Sequence, residues 1–282
     1  MRNVLLSIVI LTKNAGNTFE QTLQAIYRQD IEYPFEVIVV DSGSTDETLN
    51  ILKKFDVKLH TIEPELFNFG LTRNYSFSLA SGDIIITISQ DVLPFNSLWL
   101  RNLVTPFYEN DKIAAVIGGI RIPENKDVFY WEKIGKFNFT SETVNWEKKY
   151  KYGLSFVNCA IRRDFWEKNQ IGFTPHSEDK LFQIMIYEAG NDVFFAKDAA
   201  CYHGHQYSFR ALVSRLKKEG LGWKHVGVYY GFVDCVHDIY KNKWLIKQSI
   251  NAYLRKDLKS FHELFFPILR PICIFLGNKN IF

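Results

Sequence analysis

Cysteine is scarce in this chain of 282 residues, and no apolar run is long enough to cross a membrane. The four cysteines, Cys159, Cys201, Cys235 and Cys273, are scattered, and none belongs to a C-x-x-C pair. This spacing argues against a zinc knuckle or a disulfide framework, and it fits a reducing compartment. The longest apolar stretch, 264–276, is shorter than the roughly 20 residues of a membrane span and contains an arginine and two prolines.

A glycine-rich dinucleotide motif and a signal peptide are missing as well. The first apolar run is followed by T-K-N-A-G and not by G-x-G-x-x-G, which disfavours a dinucleotide-binding oxidoreductase. Residues 1–3 lead directly into that run and leave no room for a signal peptide, so we expect a cytoplasmic protein. With 47% hydrophobic and 23% charged residues, the chain can build one large domain, or a domain with an appendage.

The net charge of +3 conceals an asymmetry between two parts of the chain. Residues 206–282 contain 13 Lys and Arg against 5 Asp and Glu, a net charge of +8, which leaves residues 1–205 at −5. Aromatic residues are interleaved with the basic ones in this tail, a pattern typical of helices that bind an anionic membrane surface. The alternatives are a nucleic-acid-binding module with salt-sensitive binding, and a helical appendage with a basic solvent-exposed face.

Three apolar runs rich in β-branched residues, 7–11, 37–40 and 84–88, are each followed by polar residues. Such runs are typical of strands buried on both faces of a parallel sheet, and open α/β folds bind ligands at the carboxyl ends of those strands. Helical patterns alternate with the runs, which predicts an α/β fold with a mainly parallel sheet flanked by helices. Ser44 is expected to cap the second helix and to form a capping box with Glu47.

Five segments carry a more specific signal: S-I-V-I-L-T-K-N, E-V-I-V-V-D-S-G-S-T-D-E-T, R-N-Y-S-F-S-L-A-S-G-D-I-I-I-T-I-S-Q-D, S-E-D and Y-H-G-H-Q-Y-S. Their order over residues 4–225 resembles the family-two inverting glycosyltransferases with the GT-A fold. S-Q-D-V-L-P, taken with the last two segments, is similar to the bacterial rhamnosyltransferases of that family. The family's metal motif is usually Asp-x-Asp, whereas Ser89 occupies its first position here and leaves Asp91 as its one certain carboxylate.

The resemblance implies a nucleotide-sugar donor and a divalent metal ion, Mn²⁺ or Mg²⁺. The donor-site residues that it implies are Thr12, Asp41, Arg73, Asp83, Gln90 and Asp91. Thr12 and Asp41 would line the slot for the base or ribose, although Asp41 could instead only cap the turn that follows it. Arg73 would reach a phosphate, or else be an ordinary surface arginine. Asp83 would lie near the nucleotide, or else only form with Gly82 the turn into the next strand. Asp91 could likewise be only a turn aspartate before Pro94.

Metal binding is implied for two residues that lie far apart in the sequence. Asp91 would bind a cation that bridges the diphosphate oxygens, and His203 would complete its coordination. The resemblance leaves His205 for a phosphate or for a structural hydrogen bond. An imidazole ligand suits a transition-type ion such as Mn²⁺.

The S-E-D segment supplies two acids at the predicted start of a helix. We expect Glu178 and Asp179 to be stable there as carboxylates, because a helix N-terminus favours negative charge. Inverting transfer needs a base that takes the proton of the acceptor hydroxyl. The resemblance points to Asp179 as that base and to Glu178 as the residue that places the acceptor, with residues 158–160 lining the acceptor pocket. The simpler alternative is that both acids only cap the helix.

These patterns predict a GT-A domain over residues 1–205, with a nucleotide-binding half at about 1–120 and an acceptor-binding half at about 121–205. Residues 121–152 are expected to be a substrate loop or an irregular excursion, and residues 206–282 a basic, aromatic, helical appendage. The expected reaction transfers rhamnose from a dTDP-sugar to a saccharide acceptor of a surface polysaccharide, carried on a lipid. The alternative is transfer of another hexose or an N-acetylhexosamine from a UDP-sugar. No nucleic-acid partner is expected. Peripheral binding of the protein at the inner face of the cell membrane is left open, as is its oligomeric state.

Overall fold

The computed structural model describes residues 5–124 and 127–281 and shows one sheet within them. Its strands are, in chain order, β1 (Leu6–Thr12), β2 (Phe35–Asp41), β3 (Lys58–Thr61), β4 (Ile84–Ile88), β5 (Leu93–Pro94), β6 (Ile113–Arg121), β7 (Asn158–Arg162) and β8 (Asp192–Tyr202). The spatial order is β3-β2-β1-β4-β7-β6-β8-β5. The strands predicted from the three apolar runs are confirmed as β1, β2 and β4.

The sheet is parallel in one half and mixed in the other. β3, β2, β1 and β4 run parallel to one another, and β6 runs parallel to β8. β7 runs antiparallel to both β4 and β6, and β5 runs antiparallel to β8. Thr12 pairs with Asp41 at the ends of β1 and β2, so the polar residues that follow these strands lie at the same edge of the parallel half.

Thirteen α-helices occur in the described part of the chain. They are α1 (Thr18–Tyr27), α2 (Thr48–Leu52), α3 (Phe69–Ser78), α4 (Trp99–Val104), α5 (Pro106–Glu109), α6 (Tyr130–Lys133), α7 (Ser141–Tyr150), α8 (Arg163–Lys168), α9 (Glu178–Glu188), α10 (Phe209–His225), α11 (Phe232–Lys241), α12 (Lys243–Leu254) and α13 (Phe261–Asn278). None of these helices combines the length and the hydropathy that a membrane crossing requires.

The chain divides into two compact units. The first runs to Arg121 and includes Leu154–His203, and the second consists of Ile122–Gly153 and the described residues from Gly204 onward. In the first unit the strands bury Ile8, Val39 and Ile86 against helix side chains such as Phe19 and Trp99. This core holds the strands rigidly and fixes the loops at their ends.

The second unit is a helical body with its own aromatic core. Phe129, Trp131 and Phe137 are buried together with Phe266 of α13, and the Trp131 indole N–H donates to the Glu263 carbonyl oxygen at 2.6 Å. The expectation of a substrate loop or an irregular excursion over residues 121–152 was wrong where α6 (Tyr130–Lys133) and α7 (Ser141–Tyr150) form. Their aromatic residues supply the apolar surface that the C-terminal helices bury.

Candidate active site

The loops after β1 and β2 are joined by side chain to backbone hydrogen bonds at the carboxyl edge of the sheet. The Asn14 backbone N–H donates to Ser44 Oγ at 2.8 Å, and the Thr45 N–H donates to Asn14 Oδ1 at 2.8 Å. The Gly16 N–H donates to Asp46 Oδ2 at 3.0 Å. These bonds hold two loops that are some 30 residues apart in sequence as one preorganised surface.

Asp41 is buried at the end of β2, and its carboxylate organises the turn that follows. Its Oδ1 accepts from the backbone N–H groups of Gly43 at 3.0 Å and Ser44 at 2.9 Å, and its Oδ2 accepts from the Ser44 hydroxyl. Gly43 has a φ of +86°, a conformation that glycine adopts without strain. The turn-capping alternative for Asp41 therefore describes the contacts that its carboxylate makes here.

The predicted capping box at the second helix was wrong. Helix α2 begins at Thr48, and residue 47 is its N-cap. Ser44 lies four positions before the start of α2, and its hydroxyl donates to Asp41 and accepts from the Asn14 backbone N–H instead of capping the helix. Asp46 takes over that task, because its Oδ1 accepts from the Thr48 N–H at 3.0 Å.

Gln90 links the end of β1 to the loop after β4. Its Oε1 accepts from the Thr12 hydroxyl at 2.8 Å and from the Lys13 N–H at 2.9 Å, and its Nε2 donates to the Lys13 carbonyl oxygen at 3.1 Å. The amide is thus committed to fixing Thr12 and Lys13. We interpret Gln90 as a residue that positions the donor slot.

Asp91 and His203 meet although they are far apart in sequence. His203 Nε2 lies 3.7 Å from Asp91 Oδ1, and the two side chains are 15% and 33% exposed. Asp91 follows β4, and His203 follows β8, whose neighbour β5 comes directly after Asp91. A carboxylate oxygen beside an accessible imidazole nitrogen is a donor pair that fits a divalent ion of the Mn²⁺ type.

His205 belongs to the second unit. Its backbone N–H donates to Glu132 Oε2 at 2.9 Å, and its ring stacks on Tyr207 at a centroid distance of 5.5 Å. Tyr207 donates its phenolic proton to Glu132 Oε1 at 2.5 Å. The role expected for the His205 side chain, a phosphate contact or a structural hydrogen bond, stays a prediction.

Arg73 lies on α3 and is buried, with 7% of its surface exposed. Its Nη1 donates to the Thr87 hydroxyl at 2.7 Å, its Nη2 lies 3.6 Å from Glu178 Oε1, and its guanidinium carbon lies 5.2 Å from the Phe156 ring centroid. Arg73 Nε has no hydrogen-bond partner among the described residues. The surface-arginine alternative was wrong, and the predicted phosphate contact stays a prediction.

Glu178 and Asp179 open α9, as expected, but they occupy different environments. Glu178 is buried against Arg73, whereas Asp179 is half-buried. Burial raises the pKa of Glu178 to about 7, with the charge of Asp179 acting in the same direction and Arg73 acting against both. A helix N-terminus stabilises a negative charge by about 0.3–1 kcal/mol, which is less than the roughly 1.4 kcal/mol that corresponds to a shift of one pKa unit. Burial therefore outweighs it, and the expectation that Glu178 is a stable carboxylate at neutral pH was wrong.

The loop that leads into α9 is held by the start of α3. Asn68 Oδ1 accepts from the Thr174 N–H at 3.3 Å, and Asn74 Oδ1 accepts from the Ile171 N–H at 3.1 Å. The Phe69 and His176 rings stack with centroids 5.0 Å apart. Sequence reasoning missed these residues. Asn68 could have been found as an N-cap before an apolar pattern, whereas nothing in the sequence marks Asn74.

Two other predicted residues lie away from the donor slot or are already committed. Asp83 directly precedes β4, and Ile84 pairs with Leu6 at the first residue of β1, so Asp83 lies at the opposite edge of the parallel strands from Thr12. Its predicted contact with the nucleotide is therefore withdrawn. Asn158 is buried, and its amide bonds to Trp99, Gly119 and Ala199, so it does not line an acceptor pocket.

Comparison with known proteins decides the family. A family model described as "Glycosyl transferase family 2" matches residues 7–169. The chain belongs to this family. The O-antigen chain rhamnosyltransferase RfbN of Salmonella typhimurium is 30% identical over 228 residues, which cover 77% of this chain and 71% of that protein. WbaN of Salmonella anatum, also an O-antigen chain rhamnosyltransferase, is 26% identical over 76% of this chain and 71% of its own length.

A solved structure shows the same fold. The mannosyltransferase PcManGT from Pyrobaculum calidifontis, in complex with GDP-Man and Mn²⁺, aligns with a TM-score of 0.57 at 17% identity, covering 98% of this chain and 73% of that one. The predicted GT-A fold is thereby confirmed. The predicted glycosyltransferase activity is confirmed by the family match and by the two rhamnosyltransferase relatives. In this glycosyltransferase the site residues reach their positions from the ends of β1, β2 and β4 and from the start of α9.

Gly70 provides a test of the contact between α3 and the loop before α9. A Cβ at Gly70 would lie 2.1 Å from the Gly172 carbonyl oxygen, so Gly70→Ala must displace that backbone. Because a displacement of about 1 Å can cost roughly 10²-fold in rate, we expect turnover to fall by about that factor. Initial rates and a thermal melt would measure it. Gly172→Ala is the matched control, since a Cβ there meets nothing within 4 Å. Equal rates for the two variants would show that the contact does not position the site.

Proposed function

We propose that this glycosyltransferase transfers rhamnose, with inversion, from a dTDP-activated donor to a saccharide acceptor of a surface polysaccharide. The similarity to RfbN, which extends over 77% of the chain, carries the choice of sugar. The four free, buried thiols suit a reducing compartment, so we place the reaction in the cytoplasm. We further propose that the acceptor is lipid-linked.

The donor would lie at the carboxyl edge of β1, β2 and β4. Thr12, held by Gln90, and Asp41, held by its turn, would present hydroxyl and carboxylate oxygens to the base and ribose. Asp91 and His203 would hold a divalent ion. When bound, that ion neutralises the diphosphate as it becomes the leaving group.

The acceptor chemistry would fall to α9. Asp179 would take the proton of the acceptor hydroxyl while the oxygen forms its bond to the anomeric carbon. The bond from that carbon to the phosphate oxygen breaks on the opposite face, the nucleoside diphosphate leaves, and the configuration inverts. Asp179 suits this role better than Glu178, because a base must reach the hydroxyl and Glu178 is buried against Arg73.

A panel of sugar nucleotides tests the choice of donor. Thermal stabilisation and donor hydrolysis should be largest with dTDP-rhamnose and smaller with UDP-glucose, UDP-N-acetylglucosamine and GDP-mannose. A response confined to a UDP-sugar would replace rhamnose by the alternative hexose or N-acetylhexosamine. A chain that responds to no sugar nucleotide would contradict the proposal as a whole.

Donor binding is expected to depend on the metal pair. Asp91→Asn should weaken the affinity for dTDP-rhamnose in the presence of Mn²⁺ by at least the roughly 10- to 100-fold that loss of an outer-shell partner costs a metal site. Calorimetry with Mn²⁺, with Mg²⁺ and with a chelator measures the effect. Asp56→Asn is the control, because Asp56 is an exposed aspartate that follows α2 in the sequence. Donor affinity that survives both the chelator and Asp91→Asn would refute a metal-dependent site.

A further inference from the structure

Helix α11 in the second unit exposes an apolar face. Phe232, Val233, Val236 and Tyr240 are 66%, 78%, 48% and 68% exposed. At about 100° per residue these four side chains fall within an arc of roughly 100°. The helix packs through its other side, where Cys235 is buried with Tyr230 and Ile274. The exposed apolar face is therefore additional to the face that holds the helix in place.

The apolar character continues into α12, where lysines join it. Trp244, Ile250 and Leu254 are 50%, 50% and 71% exposed. Lys243 Nζ lies 4.8 Å from the Tyr240 ring centroid, which brings an ammonium group onto the apolar face at the junction of the two helices. Lys136 Nζ lies 5.7 Å from the Trp244 ring centroid. Aromatic rings and ammonium groups thus alternate along this surface.

The exposed charges on α11 and α12 are three lysines and one aspartate, Asp234. Lys241, Lys243 and Lys247 are all exposed. Of the two acids on these helices, Asp238 is buried and accepts hydrogen bonds from Tyr230 and Ser141, and Asp234 caps the start of α11 by accepting from the Gly231 N–H. The loop after α12 adds Lys256, whereas its Arg255 is paired with Asp257 at 2.9 Å and its Lys259 with Asp127 at 3.6 Å.

We propose that α11 and α12 form a docking surface for an anionic phospholipid bilayer. Helices that lie in the plane of a membrane interface carry large apolar residues on one face with lysines beside them, and anionic lipid attracts those lysines. Valine side chains offer a nucleic acid neither stacking nor a hydrogen bond, which disfavours that partner. A two-fold contact between copies of this face would bring two sets of the same lysines into one interface. The bilayer satisfies both the apolar and the basic residues.

Docking of this kind would hold the enzyme at the surface where a lipid-linked acceptor lies. That consequence rests on the proposed function, whereas the lipid surface itself does not. The experiment below therefore uses vesicles without acceptor or donor, so its result is separate from the identity of the sugar.

Co-sedimentation of the full chain with vesicles tests the proposal. The chain should bind vesicles that contain phosphatidylglycerol, release them as salt rises, and ignore pure phosphatidylcholine. Lys243→Gln with Lys247→Gln should weaken binding by about fivefold per lysine, which is about 1 kcal/mol each. Lys53→Gln with Lys168→Gln removes the same charge from exposed positions of the first unit and should change little. An equal loss in both double variants would reduce the interaction to net charge and overturn the proposed surface.

The apolar face is tested by a second pair of variants. Val233→Ser with Tyr240→Ser should weaken binding by about tenfold or more, because it removes buried apolar area at the interface. Leu59→Ser with Leu66→Ser, at exposed leucines of the first unit, is the control. Thermal melts of all variants establish that they are folded.

Trp244 offers an independent readout of contact with lipid. Brominated lipids should quench tryptophan emission, and Trp244→Phe should remove most of that quenching while retaining sedimentation. Full-length chain that ignores anionic vesicles at low salt would overturn the proposal. The proposal would also be overturned if Val233→Ser with Tyr240→Ser left lipid binding intact and instead converted a dimer into a monomer in analytical ultracentrifugation.

Discussion

Asp179→Asn is expected to lower turnover by about 10²- to 10⁴-fold, the contribution of a positioned general base. The substitution keeps the shape of the side chain and removes its ability to take a proton. Asp179 is half-buried at the first turn of α9, and its Oδ1 accepts from the Lys180 N–H at 2.7 Å, so the variant retains the position of the group. Initial rates at saturating donor and acceptor give the loss in turnover. Calorimetry should show nearly unchanged donor affinity.

Glu178→Gln serves as the comparison for this experiment. It should act mainly on the KM of the acceptor, because Glu178 is buried against Arg73 and is assigned the placing of the acceptor. A variant pair with the opposite result, active Asp179→Asn and inactive Glu178→Gln, would exchange the two roles. Activity in both variants would place the base outside α9.

The parallel half of the sheet could be predicted because its signals are local. Each of β1, β2 and β4 is a short apolar run of β-branched residues, and a strand buried on both faces needs little else. Their carboxyl ends then had to lie near one another, which brought Thr12 and Asp41 to one edge. The same logic argues against Asp83, which was implied by the resemblance alone, since a residue before a strand lies at the other edge.

The environment of each site residue could not be predicted, because it depends on contacts between distant segments. Arg73 and Glu178 are 105 positions apart in the printed sequence, yet their side chains meet in the interior. The sequence pattern around Glu178 indicated the start of a helix, but it did not indicate that the Glu178 side chain is buried. The local rule therefore suggested a carboxylate, whereas desolvation raises its pKa to about 7.

The tail shows the converse case, where the composition was informative and the packing was not. Basic and aromatic residues after position 206 indicated an anionic partner, and α11 and α12 now show which of them are exposed. The assignment of residues 121–152 to an irregular segment overlooked the aromatic residues that pack against α13, such as Trp131 on Phe266. The predicted domain boundary at residue 205 stays a prediction about function.

Arg73→Met is expected to have the second large effect, on stability and on the pH dependence of the rate. Removing one partner of a buried ion pair typically costs about 3–5 kcal/mol, because the other charge is left buried and unpaired. Arg73 is buried beside Glu178, but Glu178 can take up a proton when Arg73 is lost, so we expect a loss at the lower end of that range. Chemical denaturation of the full chain should show a loss of that size. Arg101→Met is the matched control, because Arg101 pairs with Asp30 at an exposed site where such pairs are worth about 0–1 kcal/mol.

The pH profile separates a positioning role of Arg73 from a merely structural one. Arg73 opposes the two influences that raise the pKa of Glu178, so its removal should raise that pKa further and leave less of the carboxylate ionised at any given pH. If the ionised form of Glu178 places the acceptor, the rising limb of the pH profile of kcat/KM should move to higher pH in Arg73→Met. Arg73→Lys should reverse part of that movement, because it returns a positive charge beside Glu178. An unchanged limb with weakened donor affinity would instead support the phosphate contact expected from the sequence. An unchanged limb with unchanged donor affinity would leave Arg73 a structural residue only, because the pairing with Glu178 would then have no influence on the acceptor step.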